Sequence, residues 1–388
     1  MSLPFLTVRG EKIITETGKE IHLNGVNFAN WLLWEGGSLG IVNYAEKKLR
    51  KLMEMTIDKV RVRSFFDLIL QHHTIRQDFF TAKSENLNVI RLPFHYRHAY
   101  NPYLWPYQAI RWAREAGIYV ILDMHAAPGG QAPGYFADCV GRAKLWENPA
   151  YQAEFMGLWF AIATAFKDDP VVAGYELLNE PVAEDDDAVR NLYTETISRI
   201  REIDNRHIIF LDGNNYATDF RMFTPPLPDD KMVYVFHTYL ESIPEIQDFL
   251  TESDIRAWRA RYNLPLMCNE YHFRSEFSEF FAHQGIHHAP WIRQKLTDGW
   301  KHWIHSIDER LLEKCNFVEI LEKIRHTSKG ERKYWKIIMA AINESKDGLW
   351  IDMMADEIEK MSEDELTALT SGMRDRTGTQ FVPESIRG

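Results

Sequence analysis

The amino-acid sequence predicts one large (β/α)8 barrel of the TIM type, and three observations lead to this fold class. First, the 388 residues are enough for a barrel of about 250 residues with additions. Second, apolar runs typical of buried strands alternate with helical patterns at intervals of roughly 30 to 60 residues, as in repeated βα units. Third, these runs close on polar residues, and the carboxyl ends of barrel strands are where such a fold carries its chemistry.

Composition narrows the classes of ligand. The formal net charge is -11, so the chain lacks the basic balance expected of a nucleic-acid-binding protein, and a neutral or cationic ligand is favoured. The three cysteines have no paired spacing and indicate neither a disulfide framework nor a zinc site. No apolar run is long enough for a membrane span. We expect a cytoplasmic protein as the sequence stands, or a secreted one if a signal peptide has been removed.

The N-terminal residues predict a β-hairpin that leads into the first barrel strand. Two short strand patterns around a glycine turn precede a strand pattern at 21–27. The next loop contains Trp31, Trp34 and Glu35. Two tryptophans beside a carboxylate are typical of a lid packed on the core or of a wall that stacks on sugar rings.

The second and third buried strands each carry a residue of chemical interest. Residues 88–94 form an apolar run that contains Arg91. A buried arginine is costly unless a carboxylate pairs with it, so we expect a partner near the barrel axis, in a structural or a catalytic pair. Residues 118–125 form the third strand and end at His125. A single histidine without a second ligand at a typical spacing does not predict a metal site, so we expect no metal and no cofactor.

The fourth strand is the most informative. Residues 171–181 read VVAGYELLNEP, an apolar and β-branched run that is bounded by prolines and predicts a strand buried on both faces. The run ends with Asn179 and Glu180. A carboxylate with a neighbouring amide at a strand end is held rigidly while the following loop opens to solvent. We therefore interpret this position as a candidate catalytic site.

Three further strand patterns also end in polar residues. The fifth, at 206–215, ends in a polar segment, and the sixth, at 232–239, places His237 and Tyr239 on one side by its period of two. The seventh, at 264–271, ends with Glu270, a second carboxylate. Glycoside hydrolysis needs such a pair, one carboxyl that donates a proton to the leaving oxygen and one carboxylate that attacks the anomeric carbon.

At these positions the sequence resembles the family 5 glycoside hydrolases of the cellulase type, which belong to the clan of (β/α)8 retaining glycosidases. The similarity covers roughly residues 20 to 275 and rests on seven motifs. These motifs are LNGVNFANWLLWEGG, NVIRLPFHYRH, YVILDMHAAPGGQ, GRAKLWENPAYQ, VVAGYELLNEP, RHIIFLDGNNYATDF and VYVFHTY.

The resemblance implies a role for each matching residue. Glu180 is implied as the acid/base and Glu270 as the nucleophile, while Arg91 would keep the nucleophile ionised and Asn179 would bind the sugar 2-hydroxyl. The other residues with an implied or expected part in substrate binding are His125, His237, Tyr239, Glu35 and Trp31. The implied partner is a β-linked oligosaccharide or polysaccharide, and the sequence leaves the oligomeric state open.

The chain departs from the family pattern in two places. Cys268-Asn269 stands before the second glutamate, where the family usually has a small residue. The eighth strand, with the tryptophan that floors the catalytic subsite, has three candidate positions, at Trp300, Trp335 and Trp350. We expect one catalytic domain at 1–350, with strand eight unassigned, and a poorly defined helical C-terminal tail at 351–388.

The sequence supports a retaining β-glycoside hydrolase that cleaves β-glucosidic bonds of glucans or gluco-oligosaccharides. A β-mannanase or a glucosyl-lipid hydrolase would use the same mechanism. A carbohydrate-binding barrel without catalysis remains the alternative that the unassigned eighth strand allows. A metal-dependent barrel hydrolase is disfavoured because paired histidine ligands are missing from the sequence.

Overall fold

The computed structural model describes residues 3–35, 44–54 and 59–291, and these fall into two compact units. The larger unit contains residues 3–34 and 74–291, and the described part of the other contains Glu35, residues 44–54 and residues 59–73. The tail at 351–388, the domain limit at 350 and the three candidate tryptophans of strand eight lie outside the described residues.

A three-stranded antiparallel sheet precedes the barrel, as the predicted hairpin implied. It consists of β1 (Leu6–Arg9), β2 (Lys12–Thr15) and β3 (Glu20–Ile21). Leu6 and Ile13 pack in one apolar cluster with the first residues of several barrel strands, such as Val89 and Ile208. The small sheet therefore closes the N-terminal end of the barrel, opposite to the end where the strands finish.

Eight parallel strands form the nearly closed barrel, which confirms the predicted fold class. They follow one another in chain order, so each strand pairs with its predecessor. The strands are β4 (Gly25–Asn27), β5 (Val89–His95), β6 (Tyr119–Ala126), β7 (Val172–Glu176), β8 (Ile208–Asp212), β9 (Met232–His237), β10 (Leu266–Glu270) and β11 (His287–His288). Every residue of these strands is buried, as expected for a parallel sheet covered by helices.

Helices connect the strands and are bounded by the local sequence. The helix Pro149–Phe166, for example, follows Asn148, whose side chain caps it, and the helix Trp105–Ala116 stops at Gly117, which adopts a left-handed conformation with φ 69°. The smaller unit contains α1 (Glu46–Glu54) and α2 (Lys59–His72). The larger contains α3 (Arg76–Ser84), α4 (Trp105–Ala116), α5 (Pro149–Phe166), α6 (Asp186–Arg201), α7 (Asn214–Ala217), α8 (Ile243–Glu252), α9 (Ile255–Tyr262) and α10 (Ser275–His283). None of the described helices is long and apolar enough to span a bilayer.

The eighth strand is β11, so the three positions predicted for it were wrong. β11 has two residues and pairs with β10 on one side, while His288 bridges to Asn24, next to β4, on the other. The buried amide of Asn27 reinforces this closure by donating to the carbonyl oxygens of Ala289 and Pro290 at 3.2 and 3.0 Å. A strand of two histidines has no apolar alternation, and this explains why its sequence pattern did not predict it.

Candidate active site

Arg91 is the centre of the polar cluster at the barrel mouth. It lies in β5 and is fully buried, and its Nη1 atom donates to Glu270 Oε1 at 2.7 Å, which is the carboxylate partner that the sequence led us to expect. The guanidinium also binds four residues from other strands and loops, namely Glu176, Asp123, Asn179 and Asn27. A charge with this many partners is compensated and fixed in one orientation.

Glu270, the last residue of β10, is held as a carboxylate. Its second oxygen accepts a hydrogen bond from the Tyr239 hydroxyl at 2.7 Å. Burial alone raises the pKa of this carboxyl, but the positive charges of His237 and Arg91 outweigh burial and lower the pKa to about 2. Glu270 is therefore ionised at any pH near neutrality.

The sequence pattern predicted that Glu180 lies at the end of a strand, and this prediction was wrong. β7 ends at Glu176, and Glu180 follows in an irregular segment with a positive φ of 45°, a conformation that is rare for residues other than glycine. Its backbone N–H donates to Asp212 Oδ2 at 2.9 Å. A conformation of this kind persists only where the surroundings enforce it.

The segment between β7 and Glu180 is fixed by side chains that bind its carbonyl oxygens. Trp159 of α5 donates to the Leu177 carbonyl, and Gln131 donates to the Asn179 carbonyl, both at 2.9 Å. The helix on the outside of the barrel thereby sets the position of a side chain inside it.

His237 joins the two glutamates. Its Nδ1 atom lies 2.9 Å from Glu180 Oε1 and 3.8 Å from Glu270 Oε2. One carboxylate oxygen of Glu180 and one of Glu270 lie within 4.8 Å of each other. The two candidate catalytic carboxyls, which lie 90 positions apart in the printed sequence, are therefore brought together at one site.

His125 forms one wall of the site together with Trp291. The two rings are stacked, with centroids 5.2 Å apart, and His125 Nδ1 lies 2.7 Å from Asp123 Oδ2. Burial lowers the pKa of His125 to about 3, so the ring is neutral. A neutral imidazole stacked on an indole presents an edge that can hydrogen bond to a ligand hydroxyl.

Two further carboxyls, those of Asp123 and Asp212, lie buried at the mouth. Burial raises the pKa of Asp123 and of Asp212 well above the ordinary value. Each of them has one buried oxygen, Oδ1, without a hydrogen-bond partner among the described residues. Burial thus favours the protonated form of these two carboxyls more than it would for exposed aspartates.

Two groups of side chains at the mouth have the spacing of a metal site. Glu176, Asp212 and His237 form one group, and Glu180, His237 and Glu270 form the other, with ligand atoms within 4.8 Å of one another. In both groups one carboxylate already binds Arg91. A guanidinium on the same oxygens repels a cation and competes for its ligands, so the donor set does not fit a resident metal.

Two residues of the predicted substrate-binding set are not among these contacts. Trp31 is 2% exposed and stacks on Trp112, with ring centroids 5.7 Å apart, which favours the alternative of a ring packed on the core. Glu35 is buried and belongs to the other compact unit, and its role in substrate binding stays a prediction.

Sequence reasoning missed several members of the site, among them Glu176, Asp123 and Trp291. Glu176 and Asp123 are charged residues inside apolar strand runs, the same signal that identified Arg91, and that signal could have found them. Trp291 lies three residues beyond the end of the short β11, and only the assignment of that strand could have found it.

The comparisons with known proteins agree with this geometry. The family described as "Cellulase (glycosyl hydrolase family 5)" matches residues 43–307, more than half of the chain. A beta-xylosidase of Phanerodontia chrysosporium is 32% identical over 232 residues, which cover 57% of this chain and 48% of that protein. Endoglucanase C of Acetivibrio thermocellus is 32% identical over 133 residues, which cover 34% of this chain and 37% of that protein. The chain thus spans about half or less of the length of these relatives.

Solved structures with the same fold include a beta-glucanase from Saccharophagus degradans. It has a TM-score of 0.52 and 20% identity and covers 81% of this chain and 94% of that chain. The same beta-glucanase in complex with cellotetraose has a TM-score of 0.52 at 19% identity, with the same coverage. Since the family match covers more than half of the chain and the barrel agrees with it, the chain belongs to glycosyl hydrolase family 5.

Proposed function

We propose that this protein hydrolyses β-glucosidic bonds in glucans or gluco-oligosaccharides by double displacement, with Glu270 as nucleophile and Glu180 as acid/base. The observation that carries the proposal is the approach of their oxygens to within 4.8 Å. Retaining glycosidases hold the two carboxyls about 5–5.5 Å apart, whereas inverting ones leave about 6.5–9.5 Å for a water molecule. The short separation supports direct attack by one carboxylate.

The proposed reaction has two steps. In the first, a Glu270 oxygen attacks the anomeric carbon while Glu180 donates its proton to the glycosidic oxygen, so that the bond to the leaving group breaks. In the second, Glu180 accepts a proton from water, the water oxygen attacks the anomeric carbon, and the bond to Glu270 breaks. The sugar leaves with its original configuration.

The surroundings of each carboxyl support this division of roles. Glu270 binds Arg91 and Tyr239, which suits a group that must attack as an anion. Glu180 has neither partner and faces His237 instead. Asn179, beside them, has a buried Nδ2 without a partner among the described residues, which supports a role for it as donor to a sugar hydroxyl.

The substrate class is inferred from the relatives. The names endoglucanase and beta-glucanase, and the cellotetraose in one solved relative, support a β-linked glucan. Because a beta-xylosidase is among the relatives, xylo-oligosaccharides are the first alternative substrates to compare with gluco-oligosaccharides. A panel of β-1,3-glucan, β-1,4-glucan, xylan, mannan and a glucosyl lipid, with chromatography of the products, would identify the sugar and distinguish endo from exo cleavage.

The test of the mechanism is to remove each glutamate in turn. Glu270→Ala deletes the group that forms the covalent intermediate, so turnover should fall by several orders of magnitude on every substrate. Azide should then enter the space of the missing carboxylate, attack an activated β-glycosyl fluoride from the opposite face and give the α-glycosyl azide, the product that fits a β-retaining enzyme.

Glu180→Ala should behave differently. Dinitrophenyl β-glycosides need little protonation, so formation of the intermediate should be retained, while natural glycosides are lost and azide gives the β-glycosyl azide with retention. Glu195→Ala, at an exposed position of α6, is the matched control and should keep full activity. Equal behaviour of the two variants on activated substrates would refute the assigned roles, and absence of turnover by the unmodified protein on the whole panel would support a binding barrel instead.

A further inference from the structure

Asn269 and Glu270 are neighbours in β10, yet both side chains reach the polar cluster. Successive side chains of a regular strand point to opposite faces. Here the pairing with β9 skips one residue, since Cys268 is opposite Phe236 and Glu270 is opposite His237. The extra residue, Asn269, forms a bulge, and a bulge re-aims a side chain.

The hydrogen bonds of Asn269 fix the orientation of its amide. Nδ2 lies 2.8 Å from Glu176 Oε2, a carboxylate oxygen that also accepts from Arg91. Because that oxygen is an acceptor, the amide nitrogen must face it, and Oδ1 must face the other way. Oδ1 lies 2.8 Å from His237 Nε2.

The amide in turn fixes a proton on His237. An amide oxygen only accepts, so Nε2 must carry a hydrogen. The other ring nitrogen, Nδ1, lies 2.9 Å from Glu180 Oε1. With Nε2 protonated, the single proton between Nδ1 and Oε1 is either on Glu180, with neutral histidine, or on the imidazolium, with the carboxylate. The opposite neutral tautomer would place a hydrogen on Nδ1 and leave Glu180 without a proton to donate.

We propose that Asn269 is a positioning residue of the general acid, which holds His237 in the Nε2–H form so that the leaving-group proton is shared between Nδ1 and Glu180. The inference rests on the proposed function, and it adds a residue outside the matched motifs, at a position where this chain departs from the family. Asn269 acts through His237 and does not touch the substrate.

The charges around His237 are consistent with a proton held at this site. Burial alone lowers the pKa of His237, but the acidic groups facing it outweigh burial and raise the pKa to about 10. These groups come from every neighbouring strand or loop and are Glu270 of β10, Asp212 of β8, Glu180 after β7 and Asp123 of β6. The site therefore retains a proton up to alkaline pH.

The kinetic test uses two leaving groups. Asn269→Leu removes the acceptor at similar volume, so kcat/KM for a phenyl β-cellobioside, which needs protonation, should fall at least about tenfold more than for the dinitrophenyl analogue. The alkaline limb of its pH profile should move to lower pH. Asn191→Leu, at an exposed position of α6, is the matched control. Equal losses on both substrates with an unchanged alkaline limb would overturn the proposal.

A second variant restores the acceptor. Asn269→Asp presents a carboxylate oxygen to Nε2, so the difference between the two leaving groups should return to that of the unmodified protein. The added negative charge should move the alkaline limb to higher pH, because it favours the protonated pair. If Asn269→Leu does not fold, this shift decides the matter, and an alkaline limb that stays in place overturns the proposal.

An activity-independent measurement separates this inference from the proposed function. In protein labelled with ¹⁵N-histidine, the His237 signals are identified by their loss in His237→Asn. A hydrogen on Nε2 in the unmodified protein, and its partial loss in Asn269→Leu, supports the inference. An Nε2 without a hydrogen in the unmodified protein overturns the inference about Asn269 even if glycosidase activity is found. Inactivity on both aryl glycosides would instead refute the proposed function, and the spectrum would still report the tautomer of His237.

Discussion

Tyr239 and Glu270 form a hydrogen bond that makes the nucleophile a weaker base. The hydroxyl donates at 2.7 Å and is one of the groups that lower the pKa of Glu270. Tyr239→Phe removes the donor, so the pKa of Glu270 should rise, and the acid limb of kcat/KM should move up by about one to two pH units, since a hydrogen bond to a charged group contributes roughly 1.5–3 kcal/mol.

The control for this prediction is Tyr103→Phe, which removes a hydroxyl at an exposed position. Profiles of kcat/KM measured from about pH 3 upward should coincide for this variant and the unmodified protein. An acid limb that does not move in Tyr239→Phe would mean that Arg91 and His237 alone keep Glu270 ionised.

At the scale of residues, the sequence identified most of the polar residues that meet at the barrel mouth. Arg91, His125, Asn179, Glu180, His237, Tyr239 and Glu270 all lie at one end of the barrel. Their positions in the sequence could not predict which of them form hydrogen bonds with one another, because those contacts depend on where each strand ends. Glu176 illustrates this, since it forms a bidentate contact with Arg91 beside the single contact of Glu270.

At the scale of elements, β7 and β8 approach each other closely because Gly174 has no side chain. A Cβ atom at this position would lie 2.2 Å from the carbonyl oxygen of Ile208. Gly174→Ala should therefore push the strands apart and lower the free energy of unfolding by about 1–3 kcal/mol. The same displacement should reduce turnover, because Glu176 lies two residues further along β7.

The matched substitution is Gly157→Ala in α5. A Cβ atom there would meet no described atom within 4 Å, and alanine is the better helix former, so the free energy of unfolding should rise by about 0.5–1 kcal/mol. Urea unfolding of the two variants should give shifts of opposite sign. A stable Gly174→Ala protein would show that the two strands can separate without cost.

The strands illustrate which elements a sequence can predict. β5, β6 and β9 have long apolar runs, and their predicted bounds agree with the structure to within two residues. The bulge at Asn269 could not be predicted, since an extra residue leaves no mark in the apolar pattern and depends on pairing with β9. β11 was missed for a related reason, because its neighbours rather than its own residues make it a strand.

At the scale of the molecule, three histidines at the barrel closure, of which His287 and His288 are buried and His22 is half-buried, make stability depend on pH. Burial lowers the pKa of His22, of His287 and of His288, the last to about 3. In the unfolded chain the pKa of a histidine is about 6.5. Below that pH the unfolded state binds more protons than the folded state, so the free energy of unfolding should fall as the pH drops from about 6.5 towards 5.

A substitution at the closure isolates this effect. His22→Phe removes one of the three groups and should make the decline with pH less steep, by at most about 1.4 kcal/mol per pH unit. His283→Phe replaces an exposed histidine of α10 and should leave the slope unchanged. Urea unfolding at several pH values would measure both, and equal slopes for all three proteins would place the acid sensitivity elsewhere.

A prediction about cofactors also belongs to the whole molecule. The proposed acid/base and nucleophile supply every proton and bond that the hydrolysis needs, and Arg91 already occupies the carboxylates of the two metal-like groups. Dialysis against a chelator should leave kcat/KM unchanged. Loss of activity that one added metal restores would contradict this.

The barrel closure has a consequence for the synthesis of the chain. The closing contact between Leu23 and His287 joins positions 264 residues apart. On the ribosome β4 emerges first among the barrel strands and must wait for β11 before its second edge is paired, and an unpaired strand edge is a template for association with other chains. We therefore expect chaperones to bind the growing chain at the free edge of β4. That edge stays unpaired until the two histidines of β11 have been translated.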